Sequence, residues 1–254
     1  MLKSFEEKIE IMKEGGEILR NIFIELESFI KPGISTFEID KKAEELFKKY
    51  KVKSAFKGYK PDFAKKPFPC NICLSLNEIV VHGIAKKELK IKEGDILKID
   101  IGVIYKNLYL DAAKTIGIGK ISEEGEKLIK VTKEALLKAI EVAKTGNTLG
   151  DIGYTIESTI KSYNFKVIKN LCGHDIGEYL HGDIQILNFG ERGRGRKLKK
   201  GMIFTIEPMA SIGSEYAIQI NDFEFKTIDN SLSSHFEVTL AILEHDNLVL
   251  TDIL

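Results

Sequence analysis

Four carboxylates and three histidines in this 254-residue chain stand where charged side chains are costly. Asp100 and Asp111 fall in KIDIGVIYKNLYLD (98–111), Glu207 in GMIFTIEPM and Glu237 in SSHFEVTLAIL, all among isoleucine, valine, leucine and phenylalanine. An unpaired carboxylate buried in such company is strongly destabilising. Two on one face also repel unless a proton or cation lies between them. Divalent cations accept oxygen and imidazole donors, and two of them about 3.5–4 Å apart would neutralise four or five such groups. Solvated acids on alternating strands are the plainer alternative. His82 (NEIVVHG), His174 (LCGHDIG) and His181 (EYLHG) sit beside apolar runs and glycines. Each alone could be a satisfied core residue, but three such settings beside matched acids favour a site. His235 and His245 read as solvent-facing and are assigned no role.

Caps and alternation predict the elements that carry these groups. Ser4 and Glu7 form a capping box for an amphipathic helix toward Phe29, closed by Lys31-Pro32-Gly33. Ser35 and Glu38 repeat the cap before IDKKAEELFKKY. The stretch 54–69 reads as loop, and strands are expected at 71–81, 95–104 and 108–117. Ser122 opens a helix to about Ala143, Thr148 another to about Tyr163, and strands and loops follow from Lys166. With a turn at Lys106-Asn107, Gly102 pairs with Asp111, and Asp100 shares the face of Gly102. The two aspartates are then diagonal neighbours about 7–8 Å apart, with the glycine leaving room beside Asp111.

The chain also repeats itself. KPGISTFEIDKKAEELFKKY (31–50) and KTGNTLGDIGYTIESTIKSY (144–163) agree at six of twenty positions, and KEGDILKID (92–100) agrees with KKGMIFTIE (199–207) at four of nine. Two matches in the same order suggest related halves, roughly 1–120 and 121–254, within one catalytic domain. The second match sets Asp100 opposite Glu207, so that strand-end acids of both halves could meet in a central cleft.

Lys+Arg and Asp+Glu are both 38, so no global field draws DNA or a membrane. No apolar run approaches a spanning helix, and the start, MLKSFEEKIEIMKEGG, lacks the apolar core of a secretory signal. Three cysteines cannot all pair, and a cytoplasmic location is the expectation. Cys70-x-x-Cys73 has no second pair and is not read as a zinc or redox site. ERGRGRKLKK (191–200) could touch ribosomal RNA, although a solvated loop is the simpler account.

Taken in order, KPGIST, SLNEIVVHGI, GDILKIDIGVIYKNLYLD, LCGHDIG, GMIFTIEPM and SHFEVT resemble the type I methionine aminopeptidases, over nearly the whole chain. The resemblance implies a pita-bread α/β (α+β) fold: two pseudo-symmetric halves, a central curved antiparallel sheet and outer helices. It implies two divalent ions (Co, Mn, Fe or Zn) held by Asp100, Asp111, His174, Glu207 and Glu237, with Asp111 and Glu237 bridging. It further implies hydroxide attack on the first peptide bond of nascent proteins whose second residue is small. Glu207 would pass the proton, and His82 and His181 would hydrogen-bond the reacting centre. Tyr59, Phe68, Cys73, Leu180 and Phe223 align with the methionine pocket, and a monomer is expected.

Several positions depart from the family's usual text. Asp175 follows the ligand histidine where glycine is usual, which would put a carboxylate beside the metal or the pocket rim. Leu110 precedes the bridging aspartate, HGDI (181–184) replaces HEEP, and Val238 follows the last ligand. The stretch between Gly58 and Phe68 is about six residues longer, and reads as a neutral insertion more readily than as a flap over the cleft. Two alternatives stay open: a prolidase or aminopeptidase P type of peptidase, and a non-catalytic pita-bread protein that binds ribosomes or other partners.

Overall fold

The computed structural model describes residues 3–254. Helices α1 (Phe5–Phe29) and α2 (Thr36–Tyr50) lead into β1 (Lys53–Ser54), β2 (Cys73–Leu76), β3 (Ile79–Val81) and the hairpin β4 (Ile96–Tyr105) and β5 (Leu108–Gly117). A second helix pair, α3 (Glu123–Val142) and α4 (Leu149–Ser162), precedes β6 (Lys166–Val167), β7 (Cys172–His174), β8 (Gln185–Leu187) and β9 (Ile203–Ile206). Short strands finish the chain: β10 (Met209–Ser211), β11 (Ala217–Gln219), β12 (Phe225–Thr227), β13 (Ser233–His235), β14 (Glu237–Ile242) and β15 (Asn247–Val249).

Local chemistry sets the boundaries. At the start of α1 the Ser4 hydroxyl accepts from the Glu7 amide while the Glu7 carboxylate accepts from the Ser4 amide. The same reciprocal cap opens α2 with Ser35 and Glu38, and α4 with Thr148 and Asp151. Helix α1 buries Met12, Leu19, Phe23 and Leu26, one stripe at helical spacing, against the β4–β5 hairpin. Gly16 is on that stripe because a Cβ there would collide with the Leu250 carbonyl. Between β4 and β5, Lys106 and Asn107 both adopt positive φ (46° and 66°), the two-residue turn whose twist suits a hairpin.

An antiparallel sheet runs β1-β4-β5-β14-β15, with β2 added on β4 and β9 on β14. One apolar core lies between α1, α2 and the β4–β5 side of this sheet. The other lies between α3, α4 and the β9–β14 side. Their boundary is the middle of the sheet, where β5 meets β14, and the acids gather there.

Candidate metal centre

The hairpin register is Gly102↔Asp111 and Asp100↔Ala113, which puts both aspartates on one face. Glu237, first residue of β14, pairs with Ala113 from the other side. Val238↔Ile206 pairing brings up β9, and Glu207 follows its last residue directly. His174 ends β7. Asp100 is thus mid-strand in β4, whereas Glu207 lies just past β9, so the two acids do not both close strands as the repeat suggested. Gly102 does not leave a gap beside Asp111 either. The Phe56 ring occupies that space, 2.5 Å from where a Cβ would stand.

Hydroxyls hold the backbone and the acids. Thr239 Oγ1 accepts from the Asp111 amide (3.0 Å) and donates to its carbonyl (2.8 Å). Thr205 Oγ1 accepts from the His174 amide (3.1 Å) and donates to Glu207 Oε1 (3.0 Å). Asn188 Nδ2 donates to the Glu207 carbonyl (3.0 Å).

All four carboxylates are buried, Glu237 to 2% exposure and Asp111 to 3%. Among the described residues no lysine or arginine pairs with any of them, and His174 and His235 approach Glu207 at 3.7 and 3.5 Å. Burial pushes the Asp100 carboxyl up from 3.8 to about 7, helped by the Glu207 charge and opposed by His235. Asp111 is raised further by burial, then by the Asp100 and Glu207 charges. Glu237 rises by burial, then by Asp111 and Glu207. Without a cation, Asp100, Asp111 and Glu237 therefore hold their protons to higher pH than exposed carboxyls would.

Apart from Asn188 Oδ1, every buried side-chain polar atom without a hydrogen-bond partner among the described residues belongs to this cluster. They are Asp100 Oδ1, Asp111 Oδ1, Glu237 Oε1 and both ring nitrogens of His235. Ligand atoms of Asp111, His174 and Glu237 lie within 4.8 Å of one another, as do those of Glu207, His235 and Glu237. Carboxylate and imidazole donors, dry and unpartnered, fit a divalent cation.

His235 corrects the sequence reading. It is 2% exposed, not solvent-facing, and its ring enters the acid cluster. The alternation of SSHFEV puts His235 and Glu237 on one face, the local signal for this placement. His245 is exposed.

A cavity of about 560 Å³ opens over the cluster, and every residue assigned to ligands, catalysis or the methionine pocket lines it. At one end Phe68, Cys73, Leu180 and Phe223 form an apolar wall with Phe56 and Tyr59. Phe68 and Phe223 cross edge to face with centroids 5.2 Å apart. Cys70 and Cys73 are free and buried, and burial pushes the Cys70 thiol to about 11, which disfavours the reactive thiolate. His82, at φ 59°, also lines the cavity, its imidazole brought down to about 4 by desolvation. His181 is oriented by the Tyr59 hydroxyl, 2.9 Å from Nδ1.

Residues 10–225 match the model of metallopeptidase family M24. A methionine aminopeptidase of Clostridium acetobutylicum is 43% identical over 246 residues, 96% of each chain. The crystal structure of a methionine aminopeptidase from Thermotoga maritima superposes with a TM-score of 0.92 at 40% identity, covering 99% of this chain and 98% of that one. The chain belongs to the methionine aminopeptidases of family M24. Membership carries divalent metal binding with it, and the pita-bread architecture expected from the sequence is the one observed. A prolidase from Pyrococcus horikoshii shares the fold alone, with a TM-score of 0.74 at 24% identity, and this chain spans 63% of it.

The family's departures have local explanations. Asp175 points away from the acids: Oδ1 accepts from the Ile184 amide and Oδ2 from the Tyr179 hydroxyl, both at 2.7 Å. A Cβ at Gly182 would collide with that carboxyl. The aspartate at 175 and the glycine at 182 therefore compensate one another, and the expectation of a carboxylate at the metal or the pocket rim is corrected. Leu110 packs beneath α1 against Gly15, and Val238 is buried in the second core. The long 59–68 stretch is a closed loop, with the Gly58 amide donating to the Phe68 carbonyl and the Phe68 amide to the Tyr59 carbonyl. Its Pro61, Asp62 and Phe63 line the cavity, and Phe63 stacks on His82 with centroids 6.1 Å apart. The neutral-insertion reading gives way to a loop on the cleft wall.

Proposed function

We infer that this chain is a methionyl aminopeptidase, removing the N-terminal methionine from peptides whose second residue is small. Five unpartnered ligand-type atoms beside a cavity with one apolar wall carry this reading, together with full-length likeness to methionine aminopeptidases. In it, Asp100, Asp111, His174, Glu207 and Glu237 would hold the divalent metal. Bound ions supply a water acidified toward neutral pH and a Lewis acid for the carbonyl.

The chain's own residues do the rest. The wall of Tyr59, Phe68, Cys73, Leu180 and Phe223 takes the methionine side chain, where rings and a thiol suit a polarisable thioether and water is excluded. His82 stays neutral at physiological pH, so its imidazole can hydrogen-bond the scissile amide without adding charge. His181, oriented by Tyr59, faces the same bond. Glu207, supported by Thr205, moves the proton toward the leaving amine.

One catalytic domain of two related halves, a monomeric cytoplasmic state and brief ribosome contact through the 191–200 loop complete the proposal. Among the described residues no helix is long and apolar enough to cross a membrane. A peptide panel assayed with Mn(II), Co(II), Fe(II) and Zn(II) tests the activity. Met-Gly and Met-Ala peptides are expected to lose methionine and X-Pro peptides to stay intact. Cleavage of X-Pro peptides alone would favour the prolidase type, and no cleavage with any metal would favour a partner-binding protein.

A further inference from the structure

We propose that His235 is a sixth protein ligand of the metal centre, adding a second imidazole beside His174. The inference rests on the metal-centre reading above and goes beyond its five ligands. Both ring nitrogens of His235 are buried and unpartnered, an arrangement that a neutral imidazole tolerates poorly in a dry interior. Nε2 lies 3.5 Å from Glu207 Oε2 and makes no hydrogen bond to it. That spacing does suit two donors sharing one cation, since bonds of about 2.0–2.2 Å leave neighbouring ligand atoms roughly 3–4 Å apart. The ligand atoms of Glu207, His235 and Glu237 are all within 4.8 Å of one another.

The ring is also held in place from behind. The His235 amide donates to Thr115 Oγ1 (2.9 Å), and the same hydroxyl donates to the His235 carbonyl (2.6 Å). On its other edge β13 pairs with β10 in the register Met209↔His235. Backbone bonds on both sides fix the direction in which the side chain leaves the strand. Val238, the nearby position where the family often has histidine, is committed to the apolar core, so His235 reaches the acids from a different place.

A second imidazole changes what the centre prefers. Nitrogen donors favour cobalt, iron and zinc over manganese more than carboxylates do. Replacing His235 by glutamine, similar in reach but a weak ligand, should weaken Co(II) binding at least about tenfold and Mn(II) binding by much less.

The deciding readout is spectroscopic. Wild type and His235→Gln are loaded with two equivalents of Co(II), and the bound imidazoles are counted by cobalt-edge X-ray absorption. They are counted again as far-shifted exchangeable N–H signals in proton NMR. Two imidazoles per dinuclear centre in the wild type and one in the variant are expected. Equal counts in both proteins, or one in the wild type, would overturn the assignment. His235→Asn, shorter and unable to reach, replaces the glutamine variant should that fail to fold, with the same expectation. Wild-type protein that binds no Co(II) would instead overturn the metal-centre reading itself.

Discussion

Replacing Asp111 by asparagine should stabilise the metal-free protein while destroying its response to metal. Asp111 sits in the interior with its carboxyl pushed up by burial and by the Asp100 and Glu207 charges. A carboxyl raised on folding keeps its proton longer in the folded chain than in the unfolded one. Its stabilising contribution is full below about pH 4 and is lost as pH rises toward the folded value. Each proton so retained costs about 1.4 kcal/mol per pH unit. Between pH 5 and pH 7 the wild type should therefore lose up to about 2.7 kcal/mol relative to Asp111→Asn, whose amide has no proton to lose and donates to Asp100. For a chain of this size that corresponds to a gap in Tm widening by at most about 5–10 °C. Metal reverses the order. At a hundred times Kd a ligand adds about 2.7 kcal/mol to the protein that binds it, and the variant lacks a carboxylate proposed to hold the metal. Differential scanning fluorimetry at pH 5 and pH 7, with chelator or with Mn(II), reads all four states. A variant less stable than wild type in chelator at pH 7, or one gaining as much from Mn(II), would refute the reasoning.

Metal affinity should fall as pH falls from 7.5 to 5.5, by about tenfold per unit for each proton displaced from the raised carboxyls, as titration calorimetry in buffers of different ionisation heat would show. Tyr59→Phe removes the hydroxyl that orients His181, a bond worth about 1 kcal/mol, so kcat/KM should drop about fivefold with metal stoichiometry unchanged. Gly182→Ala should destabilise by about 1–3 kcal/mol through its collision with Asp175, and adding Asp175→Gly should recover part of that loss. Additive losses in thermal melts would show the two positions to be independent.

Most of the scaffold was legible because its signals are local. The serine and threonine caps, the Lys106-Asn107 turn and the resulting register Gly102↔Asp111 depend on neighbours in sequence. The expected strand at 71–81 breaks at Asn77, whose positive φ turns the chain between β2 and β3. What was missed depends on contacts far along the chain. His235 looked exposed because nothing in SSHFEV reveals that Thr115, 120 residues earlier, pins that backbone toward the acids. Asp175 looked like a threat to the metal because the space left by Gly182 is visible only in three dimensions. The place of Phe63 against the His82 ring likewise depends on a contact in the cleft that local sequence does not encode.

The central claim is that buried acids and histidines at the β5–β14 junction hold the catalytic metal. Anomalous diffraction from a crystal soaked in Mn(II) tests it most directly. Two peaks are predicted about 3.5–4 Å apart, both touching Asp111 and Glu237. Density confined to other carboxylates, or a cluster that stays metal-free at saturating Mn(II), would contradict the account.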